Sequence, residues 1–133
     1  IETVSGSSVG FPIIADEGLK VSKLFDMLPE DAYLPDGHTP ADSATVRSVF
    51  IIGPDKQLKL SMTYPMTVGR NFAEILRALD ALQTTAKHGI ATPADWTVGQ
   101  DVIIPPSVSD EDAKQKFGEF DTVLPYLRKT KLR

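Results

Sequence analysis

The sequence predicts a mixed α/β fold, and three observations carry that expectation. A β-branched and aromatic run from Val46 to Ile52 is followed, after a turn, by Leu58 to Tyr64, where apolar and polar residues alternate. A strong helical pattern starts at Asn71 and runs to the neighbourhood of Gly89. From Pro93 onward a short apolar burst, a pair of prolines and a short acidic-capped helix follow. The periods of strand and helix thus share one chain of 133 residues. That length suits one domain, or a small domain with an arm.

Taken in order, residues 1–10 are small and polar and read as loop. Phe11-Pro12-Ile13-Ile14-Ala15, closed by Asp16-Glu17-Gly18, reads as a short buried strand ending in a turn. Val21, Leu24, Phe25 and Leu28 recur at helical spacing, and Pro29 ends that helix. Residues 29–44 hold three prolines and a Pro-Asp-Gly signal, so they read as a surface loop that carries His38.

Val46, Val49, Phe50, Ile51 and Ile52 predict a buried strand. Gly53-Pro54-Asp55-Lys56 is the turn, because proline presets the first corner and Asp55 can bond its own backbone. Leu58, Leu60, Met62 and Tyr64 then alternate with Lys59, Ser61 and Thr63, which makes a hairpin with an edge-like second strand.

Asn71 followed by Glu74 resembles a capping box. Phe72, Ile75, Leu76, Leu79 and Leu82 form the apolar face of the longest helix, with Glu74, Arg77 and Asp80 off it and Gly89 as its stop. Beyond Pro93, Trp96, Val102-Ile103-Ile104 and a helix from Ser109 or Asp110 to about Phe117 look like a small appended unit with a thin core. The segment through Pro125-Tyr126-Leu127 reads as extended or loop, and the basic tail from Arg128 to Arg133 as a solvated, frayed terminus.

Composition excludes several chemistries. There is no cysteine, which removes disulfides, thiolate–metal sites and a cysteine nucleophile from this chain. His38 and His88 stand 50 positions apart with no metal-ligand spacing, so no metal or cofactor is expected. A formal charge of −4 disfavours a nucleic-acid partner. No apolar run is long enough to span a membrane, and no basic-then-apolar leader opens the chain. The expected location is the cytoplasm. Ile1 in place of methionine implies that the natural start lies elsewhere.

Two arginines stand out. Arg47 sits in an otherwise apolar strand, where it either faces solvent or is paired and functional; spacing supports both equally. Arg70 precedes a helix start, where it could help bind an anion, although an exposed arginine beside a cap is the commoner arrangement. Asp110, Glu111 and Asp112 suit a solvated helix start.

Three stretches together resemble one family: Phe11-Pro-Ile-Ile-Ala-Asp16, then Thr45-Val-Arg-Ser-Val-Phe-Ile-Ile-Gly-Pro-Asp-Lys56, then Thr63-Tyr-Pro-Met-Thr-Val-Gly-Arg-Asn-Phe-Ala-Glu-Ile-Leu-Arg77. Ala91-Thr-Pro-Ala-Asp-Trp96 and Pro125-Tyr-Leu-Arg128 extend the match. The chain resembles the C-terminal portion of the 1-Cys (peroxiredoxin 6 type) peroxiredoxins. The resemblance implies a thioredoxin-like fold, with residues 1–90 as the C-terminal half of the peroxiredoxin domain and 91–133 as the subfamily's C-terminal extension. It places the catalytic cysteine in a Pro-x-x-x-Thr-x-x-Cys loop of an N-terminal half outside this chain, so this chain alone is expected to be inactive.

It also implies that Arg47 is the active-site arginine, which favours the thiolate and hydrogen-bonds the peroxide as the O–O bond breaks. Arg70 matches a supporting arginine. Asp55 matches the aspartate credited with phospholipase activity in some members, but its turn role explains it fully. The implied partners are the N-terminal half, an external thiol reductant, and a second copy joined through the strand Leu58–Tyr64 and the extension. The competing expectation is a non-enzymatic module that uses the same edge strand for dimerisation or partner binding.

Overall fold

The computed structural model describes residues 6–28 and 44–132. The chain divides into two units, Ile1–Val49 with Met62–Gly69, and Phe50–Ser61 with Arg70–Arg133. The hairpin passes through both.

In the first unit, helix α1 (Lys20–Leu24) is a little over one turn. Asp16 caps it: Val21 N and Ser22 N donate to its carboxylate at 2.9 and 2.8 Å, and Ser22 Oγ donates at 2.7 Å. The helix is shorter than its apolar spacing implies. Leu28 is buried but Leu24 is 79% exposed, so only part of the expected face finds a surface to cover. The expected strand at 11–15 is not there. Phe11, Ile13 and Ile14 are 69%, 66% and 70% exposed, and no strand pairs with them among the described residues. A strand exists through its ladder of backbone hydrogen bonds; apolar side chains without a pairing partner do not make one. The proline-rich loop and His38 lie outside the described residues.

Strands β1 (Arg47–Ile52) and β2 (Leu58–Tyr64) form the expected two-stranded sheet. Their turn closes with Lys56 N donating to Gly53 O at 2.9 Å and Gly53 N to Gln57 O at 2.9 Å. A Cβ at position 53 would stand 2.6 Å from both Asp55 Oδ1 and Lys59 Cε, so a larger residue there would have to push those two side-chain ends aside. Asp55 organises the turn by accepting from Gln57 N and, at 2.5 Å, from Lys59 Nζ. β2 alternates as predicted, with Leu60, Met62 and Tyr64 half-buried and their neighbours exposed. β1 departs from the expectation of a buried strand: Ser48 to Ile51 are only half-buried and Ile52 is exposed. Only β2 pairs with it among the described residues.

In the second unit, helix α2 (Phe72–His88) starts where Asn71 Oδ1 accepts from Glu74 N at 3.2 Å and stops at Gly89, whose φ of 63° is left-handed. The box is half-formed, because the Glu74 carboxylate turns to Arg77 instead of back to Asn71. The buried face also differs from the predicted one. Ala78 and Ala81 are buried, while Phe72 and Leu76 are 67% and 61% exposed. Small side chains let the helix approach the cluster of Ile90, Trp96 and Val102, and the bulkier leucines flank that contact.

The appended unit is better packed than its thin apolar content suggests. Trp96, Val102, Ile104 and Ala113 are all essentially inaccessible. Ser109 caps helix α3 (Asp110–Phe117), accepting from Asp112 N at 3.1 Å. Strands β3 (Val102–Ile104), β4 (Asp121–Leu124) and β5 (Leu127–Thr130) form an antiparallel sheet in the order β3-β5-β4. Arg128 to Thr130, in the tail expected to fray, therefore belong to the central strand. Val102 faces Thr130, Ile104 faces Arg128, and Thr122 faces Arg128 on the other side. Both ladders satisfy the backbone of β5, which is why a short basic segment is ordered.

Candidate functional site

Arg47 opens β1 and is exposed. Period two places it on the strand face shared by Val49 and Ile51, while Ser48 and Phe50 point the other way. Ser48 Oγ meets Thr63 Oγ1 across the hairpin at 3.2 Å, fixing the register beside it. Arg47 has no hydrogen-bond or ion-pair partner among the described residues. A strand thus holds the guanidinium's backbone, while its five donors are open to an acceptor from outside the described residues.

Arg70 is also exposed, with its guanidinium 6.0 Å from the centre of the Phe72 ring, just ahead of the α2 cap. Glu74 in the first turn already supplies an acid to the helix N-terminus. Arg47 falls in the first unit and Arg70 in the second. His88 ends α2. Among the described residues no group of three or more metal-ligating side chains gathers, and no helix is long and apolar enough to cross a membrane.

Among the described residues, three carboxylates are held below their ordinary range. Ser22 Oγ, backed by the Val21 amide, lowers Asp16. The Lys59 ammonium, backed by the Gln57 amide, lowers Asp55. The Arg77 guanidinium, at 2.6 and 2.8 Å, lowers Glu74 and is itself raised. Asp55 is thus committed to its turn.

Two arginines whose sequence pattern predicts a surface position, Arg77 and Arg128, are structural. Arg77 reaches from Glu74 to the Trp96 carbonyl at 3.2 Å, tying α2 to the segment after Pro93. Arg128 is buried in β5 and donates to Asp110 Oδ1 at 2.5 Å, Pro105 O at 2.8 Å and Val108 O at 2.6 Å. The one available signal was the alternation of Arg128 and Thr130 with Lys129 and Lys131, which four residues at a basic terminus make easy to miss.

A family model for the C-terminal domain of 1-Cys peroxiredoxin matches residues 81–119. The mitochondrial peroxiredoxin PRX1 of Saccharomyces cerevisiae is 50% identical over 98% of this chain and 49% of its own length. The 1-Cys peroxiredoxin A of Oryza sativa is 48% identical over 96% of this chain and 59% of its own length. A solved structure of yeast mitochondrial 1-Cys peroxiredoxin, described in terms of thiol resolution via glutathione/thioredoxin systems, superposes with a TM-score of 0.87 at 50% identity, covering 98% of this chain and 61% of that one. A cysteine-to-serine mutant of the peroxiredoxin 6 of Arenicola marina superposes with a TM-score of 0.84 at 44% identity, covering 99% and 61%. The chain therefore spans about half to three-fifths of these relatives.

The expected cytoplasmic location is corrected by the yeast relative, which is mitochondrial by name. Targeting information resides in terminal segments, and a chain that spans about half of its relatives is no guide to them. The α/β architecture is that of the matching peroxiredoxin structures, and the matches run in register along nearly the whole chain: this chain belongs to the 1-Cys peroxiredoxins, to their C-terminal portion.

Proposed function

We propose that this chain is part of a thiol-dependent peroxidase that reduces hydrogen peroxide and alkyl hydroperoxides, with the catalytic cysteine on an N-terminal segment outside the chain. The observation that carries this is the match, at about half identity along nearly the whole chain, to peroxiredoxins by a chain that itself holds no cysteine; Arg47 is exposed and unpaired among the described residues, so its geometry alone does not separate a catalytic from a solvent-facing arginine. Residues 1–90 would complete the peroxiredoxin domain and 91–133 would form its extension.

The thiolate attacks one peroxide oxygen. The S–O bond forms as the O–O bond breaks, and the leaving oxygen departs as water or alcohol after taking up a proton. The sulfur becomes a sulfenic acid. An external thiol then condenses with it, releasing water and forming a mixed disulfide, and a second thiol restores the cysteine. Glutathione and thioredoxin, named with the yeast relative, are the candidate reductants. Arg47 would hold the thiolate form and donate to the oxygen on which charge develops. Arg70 would support it.

The test is peroxide consumption by the full-length protein with and without Arg47→Ala. The variant should keep its fold and lose rate on the order of 10²-fold, as expected for removing a donor aimed at developing charge. An unchanged rate would defeat the assignment. A non-enzymatic dimerisation module is the second reading, favoured by the exposure of Ile52 and Leu58 on the hairpin. A coding sequence that starts at Ile1 with no upstream Pro-x-x-x-Thr-x-x-Cys motif would decide for it.

A further inference from the structure

The first turn of α2 holds one carboxylate between two arginines. Glu74 stands at the third position of the helix, with Arg77 three residues after it and Arg70 four residues before it, just ahead of the Asn71 cap. Side chains three and four apart meet along a helix, and a residue ahead of the cap packs beside the first turn. Arg70 does so here: its guanidinium lies 6.0 Å from the ring centre of Phe72, the first residue of α2. A carboxylate at this position has a third claimant, the cap's own amide, which closes a capping box. All of these residues belong to the second unit.

The structure gives the Glu74 carboxylate to Arg77. Oε2 accepts from Nε at 2.6 Å and Oε1 from Nη2 at 2.8 Å. The remaining nitrogen, Nη1, donates to the Trp96 carbonyl at 3.2 Å. Trp96 is buried with Ile90 and Val102, and its indole nitrogen is tied to Gln100 O, so that carbonyl is held by packed structure. Asp95, the residue before it, adds a further negative charge near Arg77. The guanidinium fork therefore draws Glu74 along the helix, away from the cap. Among the described residues Arg70 has no carboxylate within ion-pair distance.

We infer that Arg77 is a positioning residue for the peroxidase: by holding Glu74 toward the appended unit, it keeps the Arg70 guanidinium clear of the acid nearest to it in sequence and available to the anions of the active site. The inference rests on the proposed supporting role of Arg70. A cation paired with a carboxylate loses most of its effect on a thiolate, or on an oxygen where charge develops, because the two opposite fields nearly coincide. The Arg77 and Glu74 side chains are 29% and 40% exposed, so the strength of a surface ion pair sets the scale of the effect. The appended unit thereby acts on the start of α2 through one guanidinium.

The test is the second-order rate constant for oxidation of the catalytic cysteine by hydrogen peroxide in the full-length protein, with urea denaturation of each variant beside it. Arg70→Ala should lower the rate. Arg77→Gln releases Glu74 to Arg70 and should lower it roughly fivefold, the scale of a part-exposed ion pair. The Glu74→Gln/Arg77→Gln double variant removes the released charge and should recover most of that loss, although the tie to Trp96 stays altered. In the Arg70→Ala background, Arg77→Gln should cost nothing further. Arg77→Lys keeps a cation for Glu74 without the fork. It should lose stability but keep most of the rate, and it carries the test if Arg77→Gln does not fold. No loss with Arg70→Ala defeats the role of Arg70 and the inference with it. A loss with Arg70→Ala but none with Arg77→Gln, a loss that Glu74→Gln leaves unrepaired, or a loss of about fivefold in Arg77→Lys overturns the inference alone.

Discussion

Arg128 and Asp110 form an ion pair that is buried on one side only: the arginine side chain is 7% exposed and the aspartate side chain 75%. The guanidinium also donates to the Pro105 and Val108 carbonyls and lies 5.8 Å from the Phe120 ring centre. It gathers the turn after β3, the start of α3 and the sheet around one planar group. A lysine, with a single tetrahedral head, could not make the same set of bonds.

The two partners should therefore respond unequally to mutation. Arg128→Ala strands two carbonyls and leaves a cavity, and should cost about 2–4 kcal/mol. Asp110→Asn removes only a well-solvated partner and should stay within about 1 kcal/mol. Urea denaturation of the two variants checks this, and equal losses would contradict it.

Acid should loosen α1 through Asp16. Its folded pKa lies below the ordinary value because Ser22 and the Val21 amide bind the carboxylate. Such a group contributes its full stabilisation above the unfolded value, about 3.9, and loses it as the pH falls through the folded value. Hydrogen exchange at Val21 and Ser22 should be flat from pH 7 to about 5 after correction for intrinsic rates, then accelerate on further acidification. Asp16→Asn should exchange faster throughout the higher range and lose the inflection. The same sign holds for Asp55 and Glu74, both lowered, first by Lys59 and Arg77 respectively.

Trp96 is the single tryptophan and is 2% exposed. Its indole nitrogen donates to Gln100 O at 3.2 Å. Its emission should be blue-shifted in the folded protein and report on the second unit. Trp96→Phe keeps most of the apolar volume but leaves that carbonyl without its donor, and should cost about 1–3 kcal/mol. Trp96→Ala should cost about 3–5 kcal/mol. Chemical denaturation that ranks the two the other way would refute this account of the core.

The exposed apolar residues of the first unit and the hairpin predict association. Phe11, Ile13, Ile14, Leu24 and Ile52 would rarely be left in water by a stable monomer. The 133-residue chain expressed alone should self-associate, and a proteolysed full-length protein should keep the two halves together. A compact monomer with no bound fragment on size exclusion would contradict both expectations.

Several elements were legible in the residues themselves. The hairpin followed from the alternation of Leu58 to Tyr64 and from Asp55 in its turn, and α2 from Asn71 at one end and Gly89 at the other. The helix at Ser109 followed from its cap. The family was legible in the order of motifs around Arg47 and Arg70, because matching side-chain chemistry over nearly the whole chain is specific where each motif alone is weak.

What failed were the statements that depend on partners distant in sequence. Phe11 to Ala15 has strand composition but no ladder. Leu76 has helical spacing but faces solvent, while Ala81 packs with Ile90, Trp96 and Val102. Arg128 to Thr130 lie in a central strand because β3 and β4 flank it on both sides. Local periodicity and caps act within a few residues, so the sequence alone determined where helices and the hairpin form. Which faces are buried, and whether Arg128 frays or is locked between two carbonyls and a carboxylate, rests on hydrogen bonds and packing between distant segments, and only the tertiary structure decided those.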